Sequence, residues 1–317
     1  MEAEQKVAKH YGREGLEGAI LDALRASGKN VERLTPADLS AVDEFHLGWG
    51  AQTIAFANEL GLERDMRLLD IGSGIGGPAR HFASAYGLRV TGIDLTREFV
   101  EVAQSLTRRC GLSQRVSFKE ASALALPFAD SSFDVATLVH VGMNIADKAK
   151  LFAEARRVLK PGGRFGVYDI MRLEEGELPF PMPWAATAET SFVEPPETYR
   201  RLLSAAGFVI EKERNRRDFA LKLAREMREK QAKQGAPALG LHIIMGPATP
   251  ERMGNVLRTL ERGTRAHRDA GARRLRRRGL NGKQQDRPRG RERNGPYEID
   301  VDPGAAQDGE PHLLIDN

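Results

Sequence analysis

Residues 70–77 read Asp70-Ile71-Gly72-Ser73-Gly74-Ile75-Gly76-Gly77, four glycines within eight positions. A glycine-rich turn lets the backbone approach a ligand without Cβ clashes, and a helix starting after it presents its N-terminus to a negative group. Gly72, Gly74 and Gly77 also satisfy GxGxxG, the spacing of loops that hold nucleoside-containing ligands where the strand order of a sheet reverses. Alone, that spacing would serve a nicotinamide dinucleotide equally well. Asp94, 24 residues after Asp70, adds a carboxylate able to accept both hydroxyls of a ribose. It suits any adenosine ligand with a free 2′-hydroxyl. Asp70, directly before the glycines, is unusual for a dinucleotide loop but useful beside an amino-acid ammonium group.

These residues need a scaffold, and the apolar pattern supplies one. Leu68–Ile71 is a buried-strand candidate; the glycine run follows, then a helix with Pro78 in its first turn that ends before Gly87. Arg89–Asp94 is the next strand, and Thr96 is placed to cap a helix carrying Phe99, Val100, Ala103 and Leu106. Val116–Phe118, Asp134–Val139 and Arg164–Tyr168 give three more strands, with a helix over Ala146–Leu159. This alternation predicts parallel βαβ units with helices on both faces of a doubly wound sheet. Before it, residues 1–60 read as a helical cap, with Leu16, Ala19, Ile20, Ala23 and Leu24 at helical spacing and Thr35-Pro36 as a helix start. The main domain is expected over 61–263, with a Pro-rich lid insert at about 171–195 holding Pro179, Pro181, Pro183 and Trp184. A helix near Glu197–Ala206, a strand at Phe208–Glu213 and helices at about 218–234 and 249–262 complete it.

With 317 residues and 41% apolar content, the chain can build a real core. No run approaches the roughly 20 apolar residues of a membrane helix, and the charged N-terminus lacks a signal-peptide core. The cytoplasm is therefore the expected location. The single cysteine, Cys110, can form no internal disulfide and reads as packing, and CxxC spacing for a metal cluster is absent.

Three further segments narrow the choice: Leu126-Pro127-Phe128 shortly after the third strand, Ser132-Phe133-Asp134 opening the fourth, and Arg157–Gly163 turning into the fifth. With DIGSGIGGPAR, TGID, LALPFADSSFD and RVLKPGG in this order and spacing, residues 40–215 resemble the class I S-adenosylmethionine-dependent methyltransferases, in their small-molecule (ubiquinone, sterol and sarcosine) branch. The resemblance implies a Rossmann-like seven-stranded sheet whose final strand is reversed. It also implies S-adenosylmethionine as cofactor, S-adenosylhomocysteine as product and a small-molecule acceptor. Asp70, Gly72, Gly74 and Gly76 would line the methionine part, Asp94 the ribose, and Leu95, Ala121 and Ser122 the adenine. Ser122 stands where these enzymes usually carry an acid.

Methyl transfer from a sulfonium is an in-line displacement, so alignment and exclusion of water matter most and a general base is optional. His140, after the fourth strand, is the first candidate to face the reacting methyl group and take a proton. The other reading is a histidine that only shapes the pocket. His46, in Phe45–Gly50 of the cap, and Tyr11 are further candidates, each set against plain packing. Asn144 reads as a helix cap, Asp169 as structural or substrate-facing, and Trp184 as lid packing. O-, N- and C-methylation all remain open, and no sequence feature specifies an oligomeric state.

The alternatives are an NAD-dependent oxidoreductase, a nucleic-acid methyltransferase using the Arg-rich tail, and a non-catalytic cofactor-binding module. The first must ignore Asp70 and the RVLKPGG turn. Against the second, His140-Val141-Gly142-Met143 replaces the Asn-Pro-Pro-aromatic motif, and no aromatics interleave the arginines. Intact glycines and Asp94 argue against the third. Residues 265–293 hold twelve Lys or Arg against three acids and 294–317 six acids and no Lys or Arg, so 264–317 reads as a disordered tail. Arg265–Ala272 can be encoded so that a one-base shift yields an apolar strand-like segment, which points to a frameshifted C-terminus. Tyr297–Val301 is then the only tail segment expected to substitute as a strand.

Overall fold

A computed structural model describes residues 2–173, 176–235, 237–262 and, for the backbone, 312–316. The Arg-rich run and the expected strand at Tyr297–Val301 lie outside these residues. Four helices come first: α1 (Glu2–Tyr11), α2 (Leu16–Ala26), α3 (Pro36–Asp43) and α4 (Trp49–Glu59). The start of α3 is a reciprocal capping box, in which the Asp38 amide donates to Thr35 Oγ1 and the Thr35 amide to the Asp38 carboxylate.

Then β1 (Arg67–Ile71), α5 (Gly77–Tyr86), β2 (Arg89–Asp94), α6 (Arg97–Arg109), β3 (Val116–Glu120), β4 (Phe133–Val139), α7 (Lys148–Val158) and β5 (Leu159–Tyr168) follow in turn. The five strands form a parallel sheet in the order β3-β2-β1-β4-β5. This is the α/β Rossmann-like arrangement that the alternating pattern predicts. The two-residue period of a strand sorts the side chains. Leu69, Ile71, Ala136 and Leu138 pack with Leu151, Phe152 and Ala155 of α7 on one face. Leu68, Val90 and Val135 pack with Phe56, Ala79 and Phe82 on the other. Each fully buried Leu or Phe contributes on the order of 2 kcal/mol by leaving water.

Beyond β5 come α8 (Pro196–Ala205), β6 (Val209–Arg214), α9 (Arg217–Gln234), the short α10 (His242–Met245) and α11 (249–262). Strand β6 does not pair with β5. Between them lies β7 (His312–Asp316), parallel to both. This corrects two expectations: the inserted strand is not reversed, and it comes from 312–316. The described residues of 171–195 are irregular, with a 3-10 turn at Ala188–Thr190.

Helices α2 and α3 lie against α6 and α5. Leu16, Ile20, Leu24 and Leu39 pack with Ile75, Phe99, Val102 and Leu106 in a cluster that also takes Ile243 and Ile244 of α10. Cys110 packs against this cluster, and burial pushes its thiol up to about 11, which fits a packing role. Among the described residues, no helix is long and apolar enough to cross a membrane.

Candidate active site

The strand order turns back between β1 and β4, so their carboxyl ends diverge and leave a crevice. A cavity of about 330 Å³ fills it. Asp70, Gly72, Ser73 and Gly74 from the β1 loop line it, as do Asp94 and Leu95 after β2 and Ala121 after β3. His140 lines it after β4, and Tyr11 and Glu4 of α1 close it together with His46, in the loop between α3 and α4.

The glycines divide the work. Gly74 has φ 53°, and a Cβ there would meet nothing within 4 Å, so its bare backbone edge faces open cavity. At Gly72, with φ 73°, a Cβ would meet the Val141 side chain at 2.3 Å, so glycine there keeps β1 and β4 close at the crevice. Gly76 is turned away: a Cβ would meet Phe118 and Arg80, at 2.6 and 2.8 Å, and its position caps α5. It therefore holds the loop from behind and does not line the cavity.

Two buried acids dominate the wall. Asp70 accepts the Thr137 hydroxyl at 2.8 Å through Oδ1, while its Oδ2 is buried without a hydrogen-bond partner. Burial pushes the Asp70 carboxyl up to about 7. An unpartnered buried carboxylate oxygen costs free energy until a donor reaches it, and a cationic donor suits it best. Asp94 accepts the amides of Gly74 at 2.9 Å and Thr96 at 2.8 Å, one on each oxygen. Those bonds orient the carboxylate and leave lone pairs for further donors. Burial nonetheless raises its pKa. The Thr96 side chain makes no cap bond to α6, contrary to the sequence expectation.

His140 sits at the carboxyl end of β4 in a left-handed conformation, φ 53°, which a side-chain-bearing residue adopts at a cost. Its amide donates to the Tyr168 carbonyl at 2.7 Å, and its ring lies 4.7 Å from that of Tyr168. Nε2 is buried without a partner, and burial lowers the imidazole pKa well below the usual value. The ring is therefore neutral at physiological pH. The neighbouring His46 is different. Its Nε2 is 2.8 Å from Glu44 Oε2 and 2.9 Å from Thr53 Oγ1, and its Nδ1 is 3.2 Å from the Leu47 carbonyl. Both nitrogens are engaged within the cap.

Tyr11 donates to Asn144 Oδ1 at 2.9 Å, and burial raises its phenol pKa. Asn144 passes that link on, donating to the Trp184 carbonyl at 2.8 Å and the Thr190 carbonyl at 3.2 Å. It therefore ties the N-terminal helix to the Pro-rich segment. The cap of α7 is Asp147, which accepts the Lys150 amide. Asp169 accepts the Tyr199 hydroxyl at 2.7 Å and is raised to about 6 by burial. Trp184 is buried among Met143, Met182 and Val193 and also reaches the cavity.

Two features escaped the sequence. Glu4 of α1 lines the cavity and accepts a short hydrogen bond from the Ser122 hydroxyl, so a carboxylate stands beside the serine after β3. Arg80, fully buried on α5, donates to Asp43 at 2.8 Å and to the Ile75 carbonyl at 2.7 Å, clamping the glycine loop to α3. A signal existed for the second: Arg80 interrupts an otherwise apolar and small helical face, Pro78-Ala79 and Phe82-Ala83. Among the described residues, no group of His, Cys, Asp and Glu is arranged to hold a metal.

Residues 69–167, the stretch that builds this crevice, match the family pattern of a methyltransferase domain. The methyltransferase phqN of Penicillium fellutanum is 38% identical over 113 residues, which is 36% of this chain and 35% of that protein. A sterol 24-C-methyltransferase of Gibberella zeae is 36% identical over 113 residues, 36% of this chain and 30% of the relative. The match thus spans about a third of those relatives' length. Among solved structures, a Haemonchus contortus phosphoethanolamine N-methyltransferase bound to S-adenosylhomocysteine shares the fold. Its TM-score is 0.55 at 23% identity, over 72% of this chain and 52% of that one. The glycine loop, the two buried acids and these likenesses agree: residues 69–167 carry the pattern of a methyltransferase domain, on a fold shared with an enzyme that binds S-adenosylhomocysteine.

Proposed function

We propose that this protein transfers a methyl group from S-adenosylmethionine to a small-molecule acceptor. The observation that carries the proposal is Asp70 Oδ2, a buried carboxylate oxygen without a partner, beside the open edge of Gly74. An amino-acid ammonium group is the complement of that oxygen. Asp94 would hold the ribose hydroxyls, and Leu95 and Ala121 would flank the adenine. Glu4, supported by Ser122, would accept from the adenine amino group, in place of the acid that related enzymes usually carry after the third strand. Gly76 would shape the loop from behind, and Gly72, which lines the cavity, would keep β1 and β4 close beside the ligand.

The cofactor, when bound, supplies a methyl group on a sulfonium with an activated leaving group. The chain's own residues then align and desolvate. His140 would meet the acceptor: a neutral imidazole with an unengaged Nε2 can take a proton from a hydroxyl or an amine. His46, fully engaged with Glu44 and Leu47, would position the cap and does not compete for that proton. Tyr11, through Asn144, would hold α1 against the lid insert at 171–195. In this reading 1–60 caps the 61–263 domain, and β6 and β7 extend the five-strand sheet to seven.

Calorimetric titration with S-adenosylmethionine and S-adenosylhomocysteine, with NADH as control, tests the proposal. Micromolar binding of both sulfur nucleosides, absent for NADH and lost in Asp94→Ala, is the expected result. Binding of NADH in their place would favour the oxidoreductase reading.

A further inference from the structure

A second cavity, of about 180 Å³, adjoins the first. Leu47, His140, Ile170, Trp184 and Val256 line both, so the two chambers share a wall whose one titratable side chain is His140. Away from that wall the second chamber is apolar at Met171, Met182, Val193 and Ala220 and cationic at its far side, where Arg216 and Arg217 open α9.

Arg80, Arg115, Arg157, Arg200 and Arg214 each face a carboxylate. Arg216 and Arg217, like Arg164 and the chamber's own Arg172, are held by neutral oxygens instead. Arg216 donates from Nε and Nη2 to the neutral Gln52 Oε1, at 3.0 and 2.9 Å, with its guanidinium over the Phe219 ring at 4.3 Å. Arg217 donates from Nε to the Leu260 carbonyl at 2.7 Å and from Nη2 to the same oxygen. Among the described residues neither makes an ion pair with an acid. Both guanidinium groups are thus held in place by neutral oxygens, with their charge uncompensated. They also lie at the N-terminus of an 18-residue helix, whose dipole adds to the positive field. Two acids line the chamber. Asp169 is buried and committed to the Tyr199 hydroxyl, and Glu177 is exposed near the entrance, on the segment before Leu178.

Building on the methyltransferase reading, we propose that this second chamber binds the methyl acceptor, and that the acceptor is an amphiphile. Its apolar body lies along the Met171–Val193 wall, its carboxylate or phosphate is held by Arg216 and Arg217, and its nucleophilic end reaches His140. A guanidinium pair favours planar and tetrahedral oxyanions alike, by paired charge-assisted hydrogen bonds. An apolar wall excludes small hydrophilic anions.

The test uses the full chain, already loaded with S-adenosylhomocysteine, titrated with three probes of one chain length: decanoate, decyl phosphate and decanol. Either anion should bind at least about tenfold more tightly than decanol, the scale of a hydrogen bond to a charged group. The stronger of the two anions identifies the headgroup. R216Q/R217Q should erase the preference while S-adenosylhomocysteine affinity stays within about twofold, and R216K/R217K should keep most of it. Equal binding of anion and alcohol overturns the proposal. So does a preference that survives R216Q/R217Q, or displacement of S-adenosylhomocysteine by the probe, which would put the amphiphile in the first chamber. If S-adenosylhomocysteine itself does not bind, the methyltransferase reading fails, and this proposal with it; if it binds and the preference is absent, only the present proposal fails.

Discussion

The two chambers that meet at His140 are electrostatic opposites. The first is walled by Asp70, Asp94 and Glu4, with Asp43 paired to Arg80; the second has Arg216 and Arg217, with Asp169 bonded to Tyr199 and Glu177 exposed. A wall of buried acids suits a ligand carrying ammonium and sulfonium charge, and a wall of guanidinium groups suits an anion. The difference shows how one crevice can bind two unlike molecules in order, each excluded from the other's place by charge.

The chambers also differ in how they are built. The cofactor-facing acids and glycines of the first, Asp70, Gly72, Gly74 and Asp94, stand close together in sequence. The second brings Arg216 and Arg217 of α9 to a wall made by Leu47, His140, Ile170, Trp184 and Val256, which are far apart in the chain.

The first chamber should respond most strongly to substitution. Asp94→Ala should weaken S-adenosylhomocysteine binding on the order of a hundredfold, because two ribose hydroxyls lose a charged acceptor; calorimetry reads it. A result within threefold of the parent would remove Asp94 from the site. Breaking the clamp behind the loop should cost stability instead. Asp43→Ala leaves Arg80 buried and unpaired, a loss of about 3–5 kcal/mol, seen as a lower midpoint in urea unfolding. An unchanged midpoint would mean that Arg80 finds another partner.

His140→Ala should lower turnover of any acceptor bearing a proton by about a hundredfold, with cofactor affinity unchanged, as expected for loss of a general base. A loss confined to KM would instead make His140 a wall. Over any one pH unit, the effect at Asp70 is smaller. Burial lifts its folded pKa to about 7, well above the ordinary aspartate value of about 3.9, so the folded state holds a proton that the unfolded state releases. Stability from this group is complete below the unfolded pKa and is lost as pH rises through 7, by at most about 1.4 kcal/mol per unit between the two values. Asp70→Asn should flatten that slope in the ligand-free protein. A slope identical in both proteins would place the titration elsewhere.

Much of the fold was legible because its signals are local. Strand-length apolar runs, the glycines and Thr35-Pro36 lead directly to β1, β2, α5 and α3. The observed bounds differ by a residue or two except at β5, where the strand begins at Leu159 and absorbs the Lys160–Gly163 turn. What stayed hidden depends on distant partners. Glu4 reads as one more charge on an amphipathic helix until α1 folds over Ser122, and Arg216 and Arg217 read as a solvated run until Gln52 and Leu260 come round to meet them. Asn144 looked like a cap because its type and position fit one, but Asp147, three residues on, has the geometry. The order and direction of β7 follow from pairings across more than 140 residues, which no local pattern encodes.

The most direct test of the central claim, that the buried Asp70 oxygen receives an ammonium group, is proton counting. S-adenosylhomocysteine is titrated at pH 6 in buffers of different ionisation enthalpy. At that pH the Asp70 carboxyl is mostly protonated, so seating a cation against it should release about one proton per ligand bound, and Asp70→Asn should release none. No proton release from the parent protein, or the same release from Asp70→Asn, would contradict the account.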